Sequence, residues 1–104
     1  MENVIILDST LREGEQSRGI CFSVKEKILL AQKLRDFGVS IIEIGQPGIS
    51  KAETDACIAI CDAVSDVDLL VHARANREDI LAARKTSAKW IGIWASYNDI
   101  SLAT

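Results

Sequence analysis

Several features that would place a chain in a membrane, on nucleic acid or outside the cell are missing from this sequence. No apolar run approaches the roughly 18–20 residues that a membrane-spanning helix needs. The net charge of −3 gives no basic excess, which broad binding to nucleic acid or anionic lipid requires. The opening MENVIILDST has no basic segment before its apolar run, so we predict no signal peptide. We therefore expect a cytoplasmic protein without nucleic-acid or membrane partners.

Cysteine and histidine are also scarce. The three cysteines are Cys21, Cys57 and Cys61, and an odd number without a secretion signal indicates reduced thiols. Cys57 and Cys61 are four residues apart on a predicted helix and so share a face. We interpret them as small buried hydrophobic residues rather than a metal pair, since free cysteine usually behaves in this way. His72 is the only histidine.

The sequence does contain enough for one small domain. Its 104 residues are 48% apolar and 26% charged, an ordinary balance for a globular protein. We find no strong internal repeat, low-complexity segment or linker. Residues 1–104 are therefore predicted to form a single domain or a piece of one.

Strands and helices are predicted to alternate along the chain. Short apolar runs predict buried strands at about residues 3–8, 40–45, 68–73 and 89–95. Three helices fit between them, and their predicted N-terminal caps are Ser23 with Glu26, Ser50 with Glu53, and Asn76. Gly38 should end the first helix and the third should end near residue 87, while residues 9–22 are predicted to be a long loop. The order βαβαβαβ predicts an α/β fold with a parallel sheet.

Polar residues stand near the carboxyl ends of these apolar strands. They are Asp8, Glu43, His72 and Arg74, with Ser96 and Asn98 following the fourth strand. Charged groups are rarely buried unless they are paired or bind a metal. In parallel α/β sheets and barrels the chemistry lies at this edge, so we predict a site there.

The densest polar cluster is DSTLREGEQ, residues 8–16, directly after the first strand. This stretch resembles the first strand and loop of the metal-dependent acyl-CoA condensing and cleaving barrels. That family includes homocitrate synthase, 2-isopropylmalate synthase, citramalate synthase and hydroxymethylglutaryl-CoA lyase. The resemblance implies the N-terminal half of a (β/α)8 TIM barrel, with four strands and three helices. It also implies a Claisen condensation of acetyl-CoA with a 2-oxo acid, dependent on Mg²⁺, Mn²⁺ or Zn²⁺.

The resemblance assigns roles to three residues of this stretch. Asp8 matches the aspartate that binds the metal, although a strand-end acid can instead cap the following turn. Arg12 matches the catalytic arginine that stabilises charge on the enolate or alkoxide. The alternative for Arg12 is a surface residue paired with Glu13 or Glu15. Glu13 matches an acid that orients the substrate or a metal-bound water, and is a second catalytic candidate.

Further residues are assigned to substrate binding. Gln16 is a candidate hydrogen-bond donor to the same ligand, and Glu43 should pair with Arg12 or with a ligand. His72 resembles the histidine of homocitrate synthases that grips the distal carboxylate of 2-oxoglutarate. Arg74 would give a second donor for a dicarboxylic or phosphono acceptor.

Two departures from the family leave the substrate and the completeness of the site open. Gln46-Pro47 replaces the aromatic-Pro pair common in isopropylmalate synthases, which affects the acceptor pocket. The late His-x-His pair that completes the family's metal site is absent from these 104 residues. A barrel typically needs about 250 residues, so the chain is either a piece of a longer protein or a half-barrel.

The alternatives within the family are isopropylmalate, citramalate or phosphonomethylmalate synthesis, or an acyl-CoA lyase reaction. The alternative of another class is a non-catalytic half-barrel that self-associates through the open edges of its first and fourth strands. We expect a homo-oligomer.

Overall fold

The sheet has four parallel strands, and helices separate them along the chain. The computed structural model describes residues 4–16 and 22–95. The elements are β1 (Leu7–Asp8), α1 (Thr10–Gln16), α2 (Val24–Phe37), β2 (Ile41–Gly45), a 3₁₀ turn (Pro47–Ile49), α3 (Lys51–Ala63), β3 (Asp68–Arg74), α4 (Arg77–Arg84) and β4 (Trp90–Trp94). The strands lie in the order β1-β2-β3-β4, each parallel to the next. The predicted half of a (β/α)8 barrel is confirmed.

The predicted helix caps are present. Ser23 and Glu26 form the complete capping box of α2, and Gly38 ends that helix in the left-handed region at φ 107°. The Ser50 side chain accepts a hydrogen bond from the Glu53 amide at the start of α3. Asn76 caps α4 in the same way. Local sequence therefore sets where each of these helices begins.

The first connection differs from the prediction. Residues 10–16 form the helix α1 within the stretch predicted to be a loop, and its Leu11 is 1% exposed. Burial of this leucine stabilises a helix of seven residues that would be marginal by itself in water. The first strand is also shorter than predicted and begins at Leu7; just before it, the Ile6 amide donates to the Ser40 hydroxyl and the Ile6 carbonyl accepts from the Ser40 amide. Asn3 lies outside the described residues.

The core lies between one face of the sheet and the helices. Alternate residues of β3 are buried on this face, and Ile42, Ile44, Ile60, Cys57 and Ala31 join them. Cys61 packs against the same core, and burial raises the pKa of its thiol. The prediction that both helix cysteines serve as small hydrophobic residues is consistent with this packing.

The opposite face of the sheet and its two edges carry exposed apolar side chains. Val4 to Leu7 are 51–79% exposed beside β1, and Trp90 and Trp94 on β4 are each 45% exposed. These are the edges predicted to be open in a half-barrel. Within the described ranges, no helix is long and apolar enough to cross a membrane.

Candidate active site

Asp8 ends β1 and holds the first turn of α1. Its Oδ1 accepts from the Thr10 amide at 2.9 Å, and its Oδ2 accepts from the Thr10 hydroxyl at 3.1 Å. The amide would otherwise be one of the first helical donors without an intrahelical partner. The capping role raised as an alternative for Asp8 is therefore present. A carboxylate has about four acceptor positions, so these two bonds leave capacity for a further ligand.

Arg12 joins α1 to the second strand. Its Nε donates to Oε1 of Glu43, and its Nη2 donates to Oε1 of Glu13 at 2.8 Å. Glu43 is only 4% exposed, whereas the Glu13 side chain is 56% exposed. The two partners fix the guanidinium between a buried carboxylate and a solvent-facing one. The predicted pairing of Glu43 with Arg12 is confirmed.

His72 brings the third strand to the same carboxylate. Its Nδ1 lies 3.1 Å from Glu43 Oε1, yet the geometry is not that of a hydrogen bond. Nδ1 is buried and has no hydrogen-bond partner among the described residues. Arg12, Glu43 and His72 therefore form one cluster, which we call the carboxylate cluster, at the edge predicted to hold the site.

Gly92 of β4 lies beside His72 in the strand register. A Cβ built on Gly92 would come within 3.4 Å of His72 Nδ1 and 3.3 Å of a Leu70 methyl carbon. The Leu70 contact would be tighter than ordinary packing, whereas the contact with the imidazole would be an ordinary van der Waals distance. Gly92 therefore leaves open space beside the His72 ring.

Arg74 lies two residues beyond His72 on β3 and is held by Asp79 of α4. Arg74 Nε donates to Asp79 Oδ2 at 2.8 Å, and Nη2 donates to Oδ1 at 2.9 Å. Asp79 is 1% exposed and the Arg74 side chain is 49% exposed. The hydrogen bonds from Arg74 hold the pKa of Asp79 below its usual range, and the same pairing raises the pKa of Arg74. The pairing of Arg74 with Asp79 was not predicted from the sequence.

The structure brings some of the predicted site residues together and leaves others apart. Arg12, Glu13, Glu43 and His72 are linked through shared contacts, while Arg74 is occupied by Asp79. The Gln16 side chain, Ser96 and Asn98 lie outside what the structure describes. The signal that could have identified Asp79 is an acid in the first turn of a helix, five residues after a strand-end arginine.

The described residues do not form a metal site by themselves. They contain no group of three or more histidine, cysteine or acidic side chains placed to hold an ion. Asp8 is a hard oxygen donor suited to Mg²⁺ or Mn²⁺, but one carboxylate does not complete a coordination shell. Asp8 can therefore supply at most one ligand of a larger site.

A surface depression of about 400 Å³ lies away from these residues. It is lined by Phe22 and by side chains of α2, including Lys25, Leu29 and Lys33. None of the predicted site residues lines it. The candidate site is therefore defined by the polar side chains at the strand ends and not by this depression.

Comparison with known proteins finds one matching family model and several similar synthases. Residues 3–104 match the HMGL-like family model. The chain is 38% identical over 98 residues to a homocitrate synthase of Pyrococcus abyssi, covering 94% of this chain and 27% of that protein. It is 38% identical over 102 residues to a 2-isopropylmalate synthase of Sulfurisphaera tokodaii, covering 97% of this chain and 26% of that protein.

A homocitrate synthase of Pyrococcus horikoshii is 39% identical over 90 residues, which are 86% of this chain and 25% of that protein. The chain thus spans about a quarter of the length of these curated relatives. The homocitrate synthases and the 2-isopropylmalate synthase are about equally similar to this chain, so sequence identity does not distinguish between these two names. The family model covers nearly every residue, and the chain belongs to the HMGL-like family.

Proposed function

We propose that the protein containing this chain condenses acetyl-CoA with a 2-oxo acid, as a homocitrate synthase does. The observation that carries the proposal is the carboxylate cluster. Helix α1 brings Arg12 against Glu43, and Glu43 lies beside His72 at the carboxyl edge of a parallel sheet. This arrangement offers a fixed cation and an imidazole ring at the position where such folds bind their substrates.

Arg12 is proposed to stabilise the negative charge that develops on oxygen during condensation. A guanidinium held by Glu43 and Glu13 needs little rearrangement when that charge appears, which is the condition for electrostatic catalysis. Glu13 is proposed to orient the substrate or a bound water from the solvent-facing side. Glu43 then serves to hold Arg12 and His72 rather than to react.

His72 and Arg74 are proposed to bind the distal carboxylate of a dicarboxylic acceptor, with Gln16 as a further hydrogen-bond donor. Alternate residues of a strand share a face, so His72 and Arg74 lie on the same side of β3. An isopropylmalate, citramalate or phosphonomethylmalate synthase, or an acyl-CoA lyase, would use the same cluster with a different acceptor.

Asp8 is proposed to supply one ligand to a divalent ion, with the other ligands outside the described residues. Such an ion would polarise the acceptor carbonyl. The role of Asp8 towards the fold, holding the first turn of α1, is compatible with this second role because its oxygens retain acceptor positions.

The test is thiol release by the intact protein from acetyl-CoA with a panel of 2-oxo acids, in the presence of Mg²⁺, Mn²⁺ or Zn²⁺. We expect release with 2-oxoglutarate above the other acceptors. Arg12→Lys should lower kcat by about 10²–10³, as for loss of a positioned oxyanion donor. Arg84→Lys, on the exposed last turn of α4, is the matched control and should retain activity. Absence of release with every acceptor and metal would refute the proposal.

The second candidate function is self-association without catalysis, and the exposed apolar edges favour it. Val4 to Leu7 and the β4 tryptophans are the surfaces that a second copy could cover. Light scattering on the chain of residues 1–104 measures its oligomeric state and so tests this second candidate function. A monomer at micromolar concentration would exclude this candidate.

A further inference from the structure

Asp79 is a buried carboxylate with an unusually complete set of partners. It accepts hydrogen bonds from three donors of one residue: Nε, Nη2 and the main-chain amide of Arg74, at 2.8, 2.9 and 2.9 Å. Its own amide donates to Oδ1 of Asn76 at 2.8 Å. A charge that is 1% exposed is tolerated because these bonds replace its hydration.

The segment that follows β2 also packs against Asp79. The Gln46 side chain lies near enough to this carboxylate to contribute to the lowering of the Asp79 pKa. A Cβ built on Gly48 would lie 2.5 Å from Asp79 Cγ and 2.8 Å from Asp79 Cα. The close approach to Cα means that any side chain at position 48 would displace α4. Asp79 therefore ties the carboxyl ends of β2 and β3 to the start of α4.

Asp79 uses only some of the N–H donors of the Arg74 guanidinium. A guanidinium has five N–H donors, and the Asp79 carboxylate engages Nε and Nη2 along one edge. Among the described residues, no hydrogen bond engages the two Nη1 hydrogens or the second Nη2 hydrogen, and these form a fork suited to a second carboxylate. Arg74 is half-exposed and shares a face of β3 with His72.

We infer that Asp79 is a positioning residue for acceptor recognition: it fixes the plane of the Arg74 guanidinium so that the remaining fork binds the distal carboxylate of a dicarboxylic 2-oxo acid. This inference rests on the proposed function and adds to it the residue that sets the acceptor preference. Asp79 acts through Arg74 and does not itself contact the substrate.

The test compares Asp79→Asn with Asp55→Asn in the intact protein. Asp55 is a helix carboxylate that pairs with Lys51 on the exposed surface of α3, so its variant makes the same chemical change outside the site. Asp79→Asn should raise KM for 2-oxoglutarate about tenfold or more, because an amide cannot accept from both guanidinium nitrogens. KM for acetyl-CoA and kcat should change less than twofold, and Asp55→Asn should match the wild type.

A direct binding measurement separates this inference from the proposed function. Trp94 lies beside Arg74 in the register of β3 and β4, and Trp90 lies beside Leu70. Tryptophan fluorescence should therefore report the binding of 2-oxoglutarate without turnover. Absence of thiol release by the wild type would refute the proposed function, whereas equal dissociation constants for the wild type and Asp79→Asn would refute the inference.

A purely structural role for Asp79 predicts a different result. In that case the affinities for 2-oxoglutarate, the branched monocarboxylic acid 3-methyl-2-oxobutanoate and acetyl-CoA would fall together, which would overturn the inference. If Asp79→Asn fails to fold, Arg74→Lys decides the question. It keeps the charge and the Asp79 partner but lacks the fork, so KM for 2-oxoglutarate alone should rise, and an unchanged KM would overturn the inference.

Discussion

Asp8 has a structural role as a helix cap and a proposed role as a metal ligand, and substitutions can separate the two. Its carboxylate caps α1 through Thr10, and it is also proposed to supply one metal ligand. Asp8→Ala removes both functions. Asp8→Asn retains an oxygen acceptor for the Thr10 amide but loses the negative charge that a hard cation requires. The comparison of the two variants therefore isolates the metal role from the helix cap.

The size of the capping contribution follows from the two bonds. Loss of a side-chain cap at a helix N-terminus costs about 1 kcal/mol, whereas aspartate and asparagine cap almost equally well. A cost of about 1 kcal/mol corresponds to a roughly fivefold larger population of molecules in which α1 is open. Hydrogen exchange of residues 10–16 should accelerate by this factor in Asp8→Ala and remain near the wild-type rate in Asp8→Asn.

Metal affinity should fall in both variants. Both variants should weaken Mn²⁺ binding to the intact protein by more than about tenfold, since even outer partners of metal ligands contribute that much. Titration calorimetry with Mn²⁺ measures this loss. The reasoning would be refuted if Asp8→Asn bound Mn²⁺ as tightly as the wild type, because Asp8 would then serve only as a helix cap.

Two further predictions concern stability. Ile60→Ala removes a fully buried core side chain and should lower the free energy of unfolding by about 2–5 kcal/mol. Ile49→Ala, at a position 63% exposed, should lower it by under about 0.5 kcal/mol. Urea midpoints measure both changes, and equal losses would contradict the assigned core. Because the pKa of Asp79 is lowered, its stabilising contribution is present above the ordinary value of 3.8 and is lost as pH falls through the lower folded value. The stability difference between the wild type and Asp79→Asn should thus narrow as urea midpoints are measured below pH 3.8, and a constant difference would contradict this linkage.

The sequence was a good guide to elements that local signals define. Capping residues such as Ser23 and Asn76 and the left-handed Gly38 mark helix ends through bonds between near neighbours. The alternation of buried residues along β3 likewise follows from the two-residue period of a strand. Such features need no knowledge of the rest of the fold.

Features that depend on distant residues were missed. Helix α1 is short and largely polar, and it is stabilised by the burial of Leu11 and by the contact of Arg12 with Glu43, 31 residues later. The pairing of Asp79 with Arg74, five residues earlier, was also not predicted, because it depends on how the start of α4 is oriented against the end of β3. Arg12 was one of the two partners predicted for Glu43, and the structure shows this ion pair between α1 and β2.

The lack of a side chain at Gly92 has a consequence for the packing around His72. A Cβ at position 92 would lie 3.3 Å from a Leu70 methyl carbon and 3.4 Å from His72 Nδ1. The first distance is tight and the second is an ordinary van der Waals contact. A methyl group here would therefore press on Leu70 and fill the space beside the imidazole, from a strand that contributes no polar group of its own to the carboxylate cluster.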